Sequence, residues 1–233
     1  MDQRAETVDG RCRRPIVAID GPAGAGKSTV ARGTAARLGL TYIDTGAMYR
    51  GVALQAQRRG VDPADREAVS RIAGETRFAF RQQDSETRLM VNDEDVSEAI
   101  RRPEISGLAS QVATIPGVRA ALVREQRRMG AEGGVVMEGR DIATVVFPNA
   151  EVKIYLDASP EERARRRRAD LLRQGVDVSH EEVLRDIQER DHRDSTRADS
   201  PLRLADGATH LNTDGLTIEQ VIDRVAALVE GSG

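Results

Sequence analysis

Tryptophan is absent from this 233-residue chain, which holds one cysteine, three histidines and two lysines. The lone thiol, Cys12, cannot close an internal disulfide and suits a reducing, cytoplasmic setting. His180, His192 and His210 are scattered and, even with Cys12, offer no metal-ligand spacing. No apolar run approaches the ~18 residues of a membrane span. The opening stretch, MDQRAETVDGRCRRP, mixes acids with arginine and lacks the apolar core of a secretory leader. Nor is there an excess of one charge: 35 basic and 38 acidic side chains leave −3, which argues against bulk attraction to nucleic acid. Aromatics make up 3% of the chain, yet apolar residues reach 39%, which supports a real core and excludes a disordered or low-complexity chain.

The scarcity of lysine is the most informative of these. Of the 35 basic residues 33 are arginine, so Lys27 and Lys153 stand out. Lys27 follows a short apolar, β-branched run, PIVAID, that reads as a buried parallel strand. The strand leads straight into Gly21, Pro22, Ala23, Gly24, Ala25, Gly26, Lys27, Ser28 and Thr29, and then into a helix-compatible stretch. This is the phosphate-binding pattern G-x-x-x-x-G-K-[ST] with a strand before it and a helix after it. Its glycines let backbone N–H groups curl around phosphate oxygens, and the new helix points its positive end at the same anion. Lys27 would reach the outer phosphates of ATP as a compact charge, and Ser28 would offer its hydroxyl to Mg2+. The loop alone does not choose among kinases, GTPases and motor ATPases. No guanine-reading N-K-x-D occurs and the chain is small for a motor, so small-molecule phosphoryl transfer leads.

A second anion site is suggested by TYIDTGAMYR. TYID reads as a strand, and the helix after it starts with Thr45 near its N-cap, Tyr49 at i+4 and Arg50 close to that face. Farther along, VDPADREAVSRIAGE reads as a helix opened by Asp62-Pro63, and RFAFRQQDSETRLMVNDEDVSEAI as alternating strands with turns. Two helices broken at Pro116-Gly117 follow. The strands Val135–Met137 and Val152–Leu156 bracket EGRD, which puts Arg140 and Asp141 at a strand's C-terminal end, where open α/β sheets bind ligands. SPEERARRRRADLLRQG is a helix with Arg163, Arg166 and Arg167 on one face. In the next helix Arg190, Arg193, Asp194 and Arg197 form one stripe at i, i+3, i+4 and i+7, a spacing that a solvated salt-bridge ladder would also give. LTIEQVIDRVAALVE closes the chain as an amphipathic helix against the sheet.

In this order GPAGAGKST, DTGAMYR, EGRDIATVVFP, LDAS-EER and ERDHRDSTR resemble the bacterial cytidylate kinases, a likeness that runs from about Ile16 to Val229. The resemblance implies an α/β P-loop NTPase fold, a doubly wound parallel sheet with an inserted monophosphate-binding subdomain and a helical lid. It implies one domain over 1–233, with a core at 15–60, 131–160 and 205–230, the insert at about 61–130, the lid at about 161–190 and a disordered arm at 1–14. It implies transfer from Mg-ATP to CMP or dCMP, giving CDP or dCDP in pyrimidine nucleotide metabolism, by a cytoplasmic monomer with no nucleic-acid or membrane partner. By similarity, Ser110 and Arg119 contact the cytosine ring, although the residues alone would read as surface positions. By similarity too, Arg140 contacts phosphate and Asp141 the base, Arg190 and Asp194 hold the sugar, Arg197 binds phosphate, and lid arginines, taken as Arg166 and Arg167, neutralise the moving phosphoryl.

Chemistry agrees with that assignment for Asp141, because cytosine differs from uracil chiefly in an amino donor that a carboxylate can accept. Glu138 stands where many relatives carry Asp and Ala143 where Gly is frequent; neither is expected to touch the contact residues. Two alternatives stay open: a kinase for another small acceptor, and a nucleic-acid-associated ATPase using Arg163–Arg168.

Overall fold

A computed structural model describes residues 14–83, 86–173 and 175–232. The expected arm at 1–14, with Cys12 and most of the basic Arg11–Arg14 run, therefore lies almost wholly outside the described residues.

Five strands, β1 (Ile16–Asp20), β2 (Thr41–Asp44), β6 (Val135–Gly139), β7 (Val152–Asp157) and β8 (Thr209–Asn212), form one sheet in the order β2-β6-β1-β7-β8, with every neighbouring pair parallel. β1 and β6 are buried at every position, as a continuous apolar run predicts for strands covered on both faces. One face packs Val17, Ile19, Ile154 and Leu156 against α1 (Lys27–Leu38) and α8 (Ile218–Glu230), whose Val221, Val225 and Val229 are buried. The other face carries Ile16, Ala18, Ile43 and Met137 toward the 142–146 segment. Register aligns the strand ends: Asp20 lies beside Gly139, and Asp44 beside Glu138. Three carboxylates thus sit at the C-terminal edge of neighbouring strands, the edge where such sheets bind ligands.

Between β2 and β6 the chain forms α2 (Thr45–Arg58), α3 (Arg66–Glu75), the antiparallel β3 (Phe78–Gln83), β4 (Glu86–Val91) and β5 (Glu94–Asp95), then α4 (Pro103–Val112) and α5 (Pro116–Met129). Their apolar faces share one cluster that includes Met48, Val52, Ile72, Phe78, Leu89, Ile105 and Leu122. The β4–β5 turn uses Asn92 and Asp93 at positive φ, the geometry a tight hairpin needs. Pro103 and Pro116 each open a helix at its first turn. Asp62-Pro63 does not open α3: Asp62 closes a turn on Ala64 N, and Asp65 caps the helix by accepting from Ala68 N at 2.9 Å.

After β7, α6 (Pro160–Arg173) and α7 (His180–Thr196) pack on a small cluster of Ala164, Leu171, Val183 and Ile187. Ser179 and Glu182 form a capping box at the start of α7. Among the described residues no helix is long and apolar enough to cross a membrane.

Candidate active site

A cleft of about 1130 Å³ opens along the C-terminal edge of the sheet, between the phosphate loop, α2, α4, α6, α7 and the β8–α8 turn. Two conformational demands shape the loop. Gly21 has φ +149°, and a Cβ there would lie 2.0 Å from Leu156 O. Gly26 caps α1 at φ +89°, which frees the first N–H groups of that helix toward the cleft. Lys27 is 6% exposed and donates to Pro22 O at 2.7 Å. Burial, reinforced by the Arg140 charge, lowers its pKa to about 7. Ser28 and Thr29 are exposed at the cleft wall.

The arginines of α6 divide sharply. Arg163, grouped by spacing with Arg166 and Arg167, is absent from the cleft lining and sits beneath the phosphate loop: it donates to Ala158 O and to Ala23 O at 3.0 Å, and pairs with Asp191 on α7 at 2.6 Å. Arg166 reaches Glu162 at 2.8 Å and the Thr213 hydroxyl at 3.0 Å. Glu162, held mainly by Arg165 and then by Arg166, has its pKa lowered to about 2. Arg167 lines the cleft, while Arg168 donates to Val178 O at 2.9 Å. Leu216, Thr217 and Ile218 complete this wall, with Ile218 half exposed at the lip.

The other end of the cleft is assembled from distant segments. Asp44, not Thr45, caps α2 by accepting from Ala47 N at 2.8 Å, because it already ends β2 in extended backbone. Thr45 instead spends its hydroxyl on Glu138 O at 2.6 Å, tying α2 to the end of β6. Arg50 donates to Asp44 at 2.9 Å. Arg119, which looked like a surface residue, is 2% exposed: it donates to Asp141 and to the Tyr49 hydroxyl at 3.2 Å, and its guanidinium lies over the Tyr49 ring. Arg197 stands 3.8 Å from Asp141, just beyond the end of α7. Arg140 donates to Asp194 at 2.8 Å, and Ser110 accepts from Arg193 at 3.1 Å. Burial works against the Asp194 carboxylate, but Arg140 and Arg190 outweigh it and lower its pKa. Arg190, lowered to about 10 by burial and then by Arg140, keeps a buried Nε without a hydrogen-bond partner among the described residues, as does Arg197 Nη2.

Every residue expected at the site, from Ala23 of the loop to Arg197, borders this cleft, except Gly21 and Pro22, which form the base of the loop. Two further carboxylates were missed. Glu138 was expected to touch none of the contact residues; it accepts from Tyr42 Oη at 2.6 Å, hydrogen-bonds Ser28 and faces Lys27. Burial, then the Asp44 charge, raises its pKa. Ala143 likewise donates its N–H to Asp20, which also accepts from Ile142 N, each at 2.8 Å. Asp20 therefore clamps the wide turn at 142–146, directly behind Arg140 and Asp141, and burial raises its pKa to about 7. Asp20 ends β1 and Glu138 stands one residue before the end of β6; a carboxylate closing an apolar parallel run beside a phosphate loop was the available signal.

The Cytidylate kinase family model matches residues 17–231. The chain is 50% identical to a cytidylate kinase from Solibacter usitatus over 225 residues, 95% of each chain. It is 51% identical to one from Pelotomaculum thermopropionicum over 216 residues, 92% of this chain and 96% of the relative. A bifunctional pantoate ligase/cytidylate kinase of Synechococcus sp. is 49% identical over 221 residues, 94% of this chain, which spans 41% of that longer protein. In fold alone the chain is similar to an uncharacterized protein from Eubacterium ventriosum, at TM-score 0.51 and 11% identity, covering 94% of this chain and 99% of that one. With a matching family model and half-identical relatives along nearly its whole length, the chain belongs to the cytidylate kinase family.

Proposed function

We propose a division of labour within the cleft for moving the terminal phosphoryl group of ATP onto CMP or dCMP, the reaction of the family to which the chain belongs. One observation carries it: the phosphate loop and the Arg119–Asp141 pair border a single cleft, with an arginine-lined stretch between them. The donor lies along Gly21–Thr29, its base against Leu216–Ile218 and its outer phosphates at Lys27. The acceptor base meets Asp141 through its amino group, and Arg119 and Ser110 through its ring. Arg190 and Asp194 hold the sugar. Arg50, Arg140 and Arg197 hold the acceptor phosphate, and the unpartnered donors of Arg190 and Arg197 are groups an anion would satisfy.

The attacking atom is an oxygen of the acceptor phosphate, anionic at neutral pH, so no general base is required. It bonds to the terminal phosphorus as the bond to the ADP oxygen breaks. Alignment and charge neutralisation then supply the catalysis, through Lys27 and the lid residues Arg166 and Arg167. The Ser28 hydroxyl, with Glu138 hydrogen-bonded to it, fits a Mg2+ ion that arrives with the triphosphate, and no cage of three or more His, Cys, Asp or Glu occurs among the described residues. When bound, the ion would neutralise charge on the transferring phosphoryl.

We read α6–α7 as a lid, since its four-residue apolar cluster is a small anchor beside the core clusters. Its arginine run does not favour a nucleic-acid role, because Arg163, Arg165, Arg166 and Arg168 are each engaged within the protein. The test is ADP production from Mg-ATP with CMP, dCMP, UMP, AMP or GMP in turn. Turnover selective for CMP and dCMP is expected. Turnover only with another acceptor overturns the cytosine reading, and stimulation by RNA or DNA alone overturns the kinase reading.

A further inference from the structure

The loop that follows α7 doubles back on the helix it has just left. Leu202 N donates to Asp194 O at 2.8 Å, and Arg197 Nε donates to Ser200 O at 2.7 Å. Ser200 makes this reversal at φ +52°, a conformation uncommon for a residue with a side chain. Its hydroxyl donates to Asp199 Oδ1 at 2.7 Å. The other oxygen, Asp199 Oδ2, then stands 3.7 Å from Arg119 Nε.

Arg119 is the most enclosed cation of the cleft, and its five N–H groups lie in one rigid plane. Two edges of that plane are fixed, by Asp141 at one terminal nitrogen and by the Tyr49 hydroxyl at the other. The Nε is buried and forms no hydrogen bond within the described residues, and Asp199 is the carboxylate that faces it. Charge points the same way. Arg119 and Arg197 share the single buried carboxylate of Asp141, so the base end of the cleft holds two guanidiniums for one acid unless Asp199 is counted.

We infer that Asp199, oriented by Ser200, is a positioning residue for acceptor recognition: it holds the third edge of Arg119 and thereby sets how Arg119 and Asp141 meet the base. The inference rests on the proposed acceptor role of Arg119. It makes Asp199 a residue felt by the acceptor and not by the donor, because its contacts run to Arg119 and the 197–200 turn and none runs to the phosphate loop.

The experiment is steady-state kinetics on the full chain with Asp199→Asn, Asp199→Glu and Ser200→Gly, the last keeping the positive φ while removing the hydroxyl. Asp199→Asn should raise KM for CMP about three- to ten-fold, the scale of one partly exposed charge contact. KM for ATP, kcat at saturating CMP and the melting temperature should hold. Asp199→Glu should recover part of the loss, and Ser200→Gly should move KM for CMP the same way by less. An unchanged KM for CMP overturns the inference, as does an equal rise in both KM values. Wild-type protein that makes no CDP would instead overturn the reading of the site itself.

Discussion

The two ends of the cleft, proposed above for phosphate and for base, are built by opposite constructions. At the proposed donor end one unbroken stretch, Gly21–Thr29, forms the loop, with Ala23–Thr29 on the cleft wall and a single buried ammonium at Lys27. At the acceptor end side chains arrive from α2, α5, the end of β6 and α7, and each main arginine has a carboxylate: Arg50 with Asp44, Arg119 with Asp141, Arg140 with Asp194. Lys27 makes no ion pair among the described residues, so burial and the Arg140 charge outweigh the opposing pull of Glu138 and its pKa falls to about 7. Arg140 is buried too, yet Asp194 outweighs the burial and raises its pKa. A lone charge suits a triphosphate donor but depends on pH. A paired network keeps its charge and reads shape. β6 is the seam, with the Glu138 side chain turned to Lys27 and Ser28 while Arg140 and Asp141 turn to the other end.

The contrast breaks most visibly at Lys27. Lys27→Ala removes the one ammonium at the moving phosphoryl, and kcat/KM should fall by about a thousand-fold or more with every acceptor. Glu138 loses the charge it faces but keeps Tyr42 and Ser28 as partners, so the chain should still fold. Retained turnover would remove the phosphate loop from the chemistry. Asp141→Asn acts at the other end. Loss of the acceptor for a base amino group should erode the preference for CMP over UMP by roughly ten- to a hundred-fold, with KM for ATP unchanged. An unchanged preference would take Asp141 out of base reading.

These constructions also explain what could be read from sequence. The donor end is local: a strand, a glycine loop, Lys27 and a helix start occupy consecutive positions, so pattern and chemistry coincide. The acceptor end is not, since Arg119 meets Tyr49 across 70 residues and Asp141 across 22. Nothing in the spacing of a lone arginine on α5 announces either partner, so only family likeness pointed to it. Helical spacing grouped Arg163 with Arg166 and Arg167, but it carries no information about depth, and Arg165 rather than Arg163 borders the cleft beside them. The first turn of α6 lies under Ala23, and Arg163 therefore braces the loop from below. Thr45 stands next to the N-cap as its spacing suggested, but the cap itself is Asp44, which also ends β2. Glu138 and Asp20 were hidden for the opposite reason: they close apolar strands and were counted with them.

The pH course sharpens the comparison next. With Lys27 near 7 in the free protein, it is ammonium below that pH and neutral above it. Donor phosphates favour the ammonium, so binding above pH 7 takes up a proton. Each pH unit above 7 should then weaken Mg-ATP binding by up to about ten-fold. CMP binding, read by paired arginines, should stay flat from pH 7 to 9. Calorimetry at pH 8 in buffers of different ionisation enthalpy should find proton uptake with Mg-ATP and none with CMP. Equal uptake for both would mean that the two ends share one titrating network.

The smallest effect tests the seam. Tyr42 donates to Glu138 at 2.6 Å, and burial followed by the Glu138 charge holds its own hydroxyl well above the ordinary range, so it is a neutral donor. Tyr42→Phe removes that donor and leaves the carboxylate to Ser28 and Lys27, which costs about 1 kcal/mol of stability in urea unfolding. The Glu138 backbone is held separately, by the Thr45 hydroxyl and by pairing along the sheet, so Arg140 and Asp141 should not move. KM for Mg-ATP should therefore rise about two-fold while KM for CMP stays constant, as loss of one neutral donor to a donor-side carboxylate requires. A matching rise in KM for CMP would instead make the Glu138 side chain a strut for both ends, and the seam would lie within that one residue.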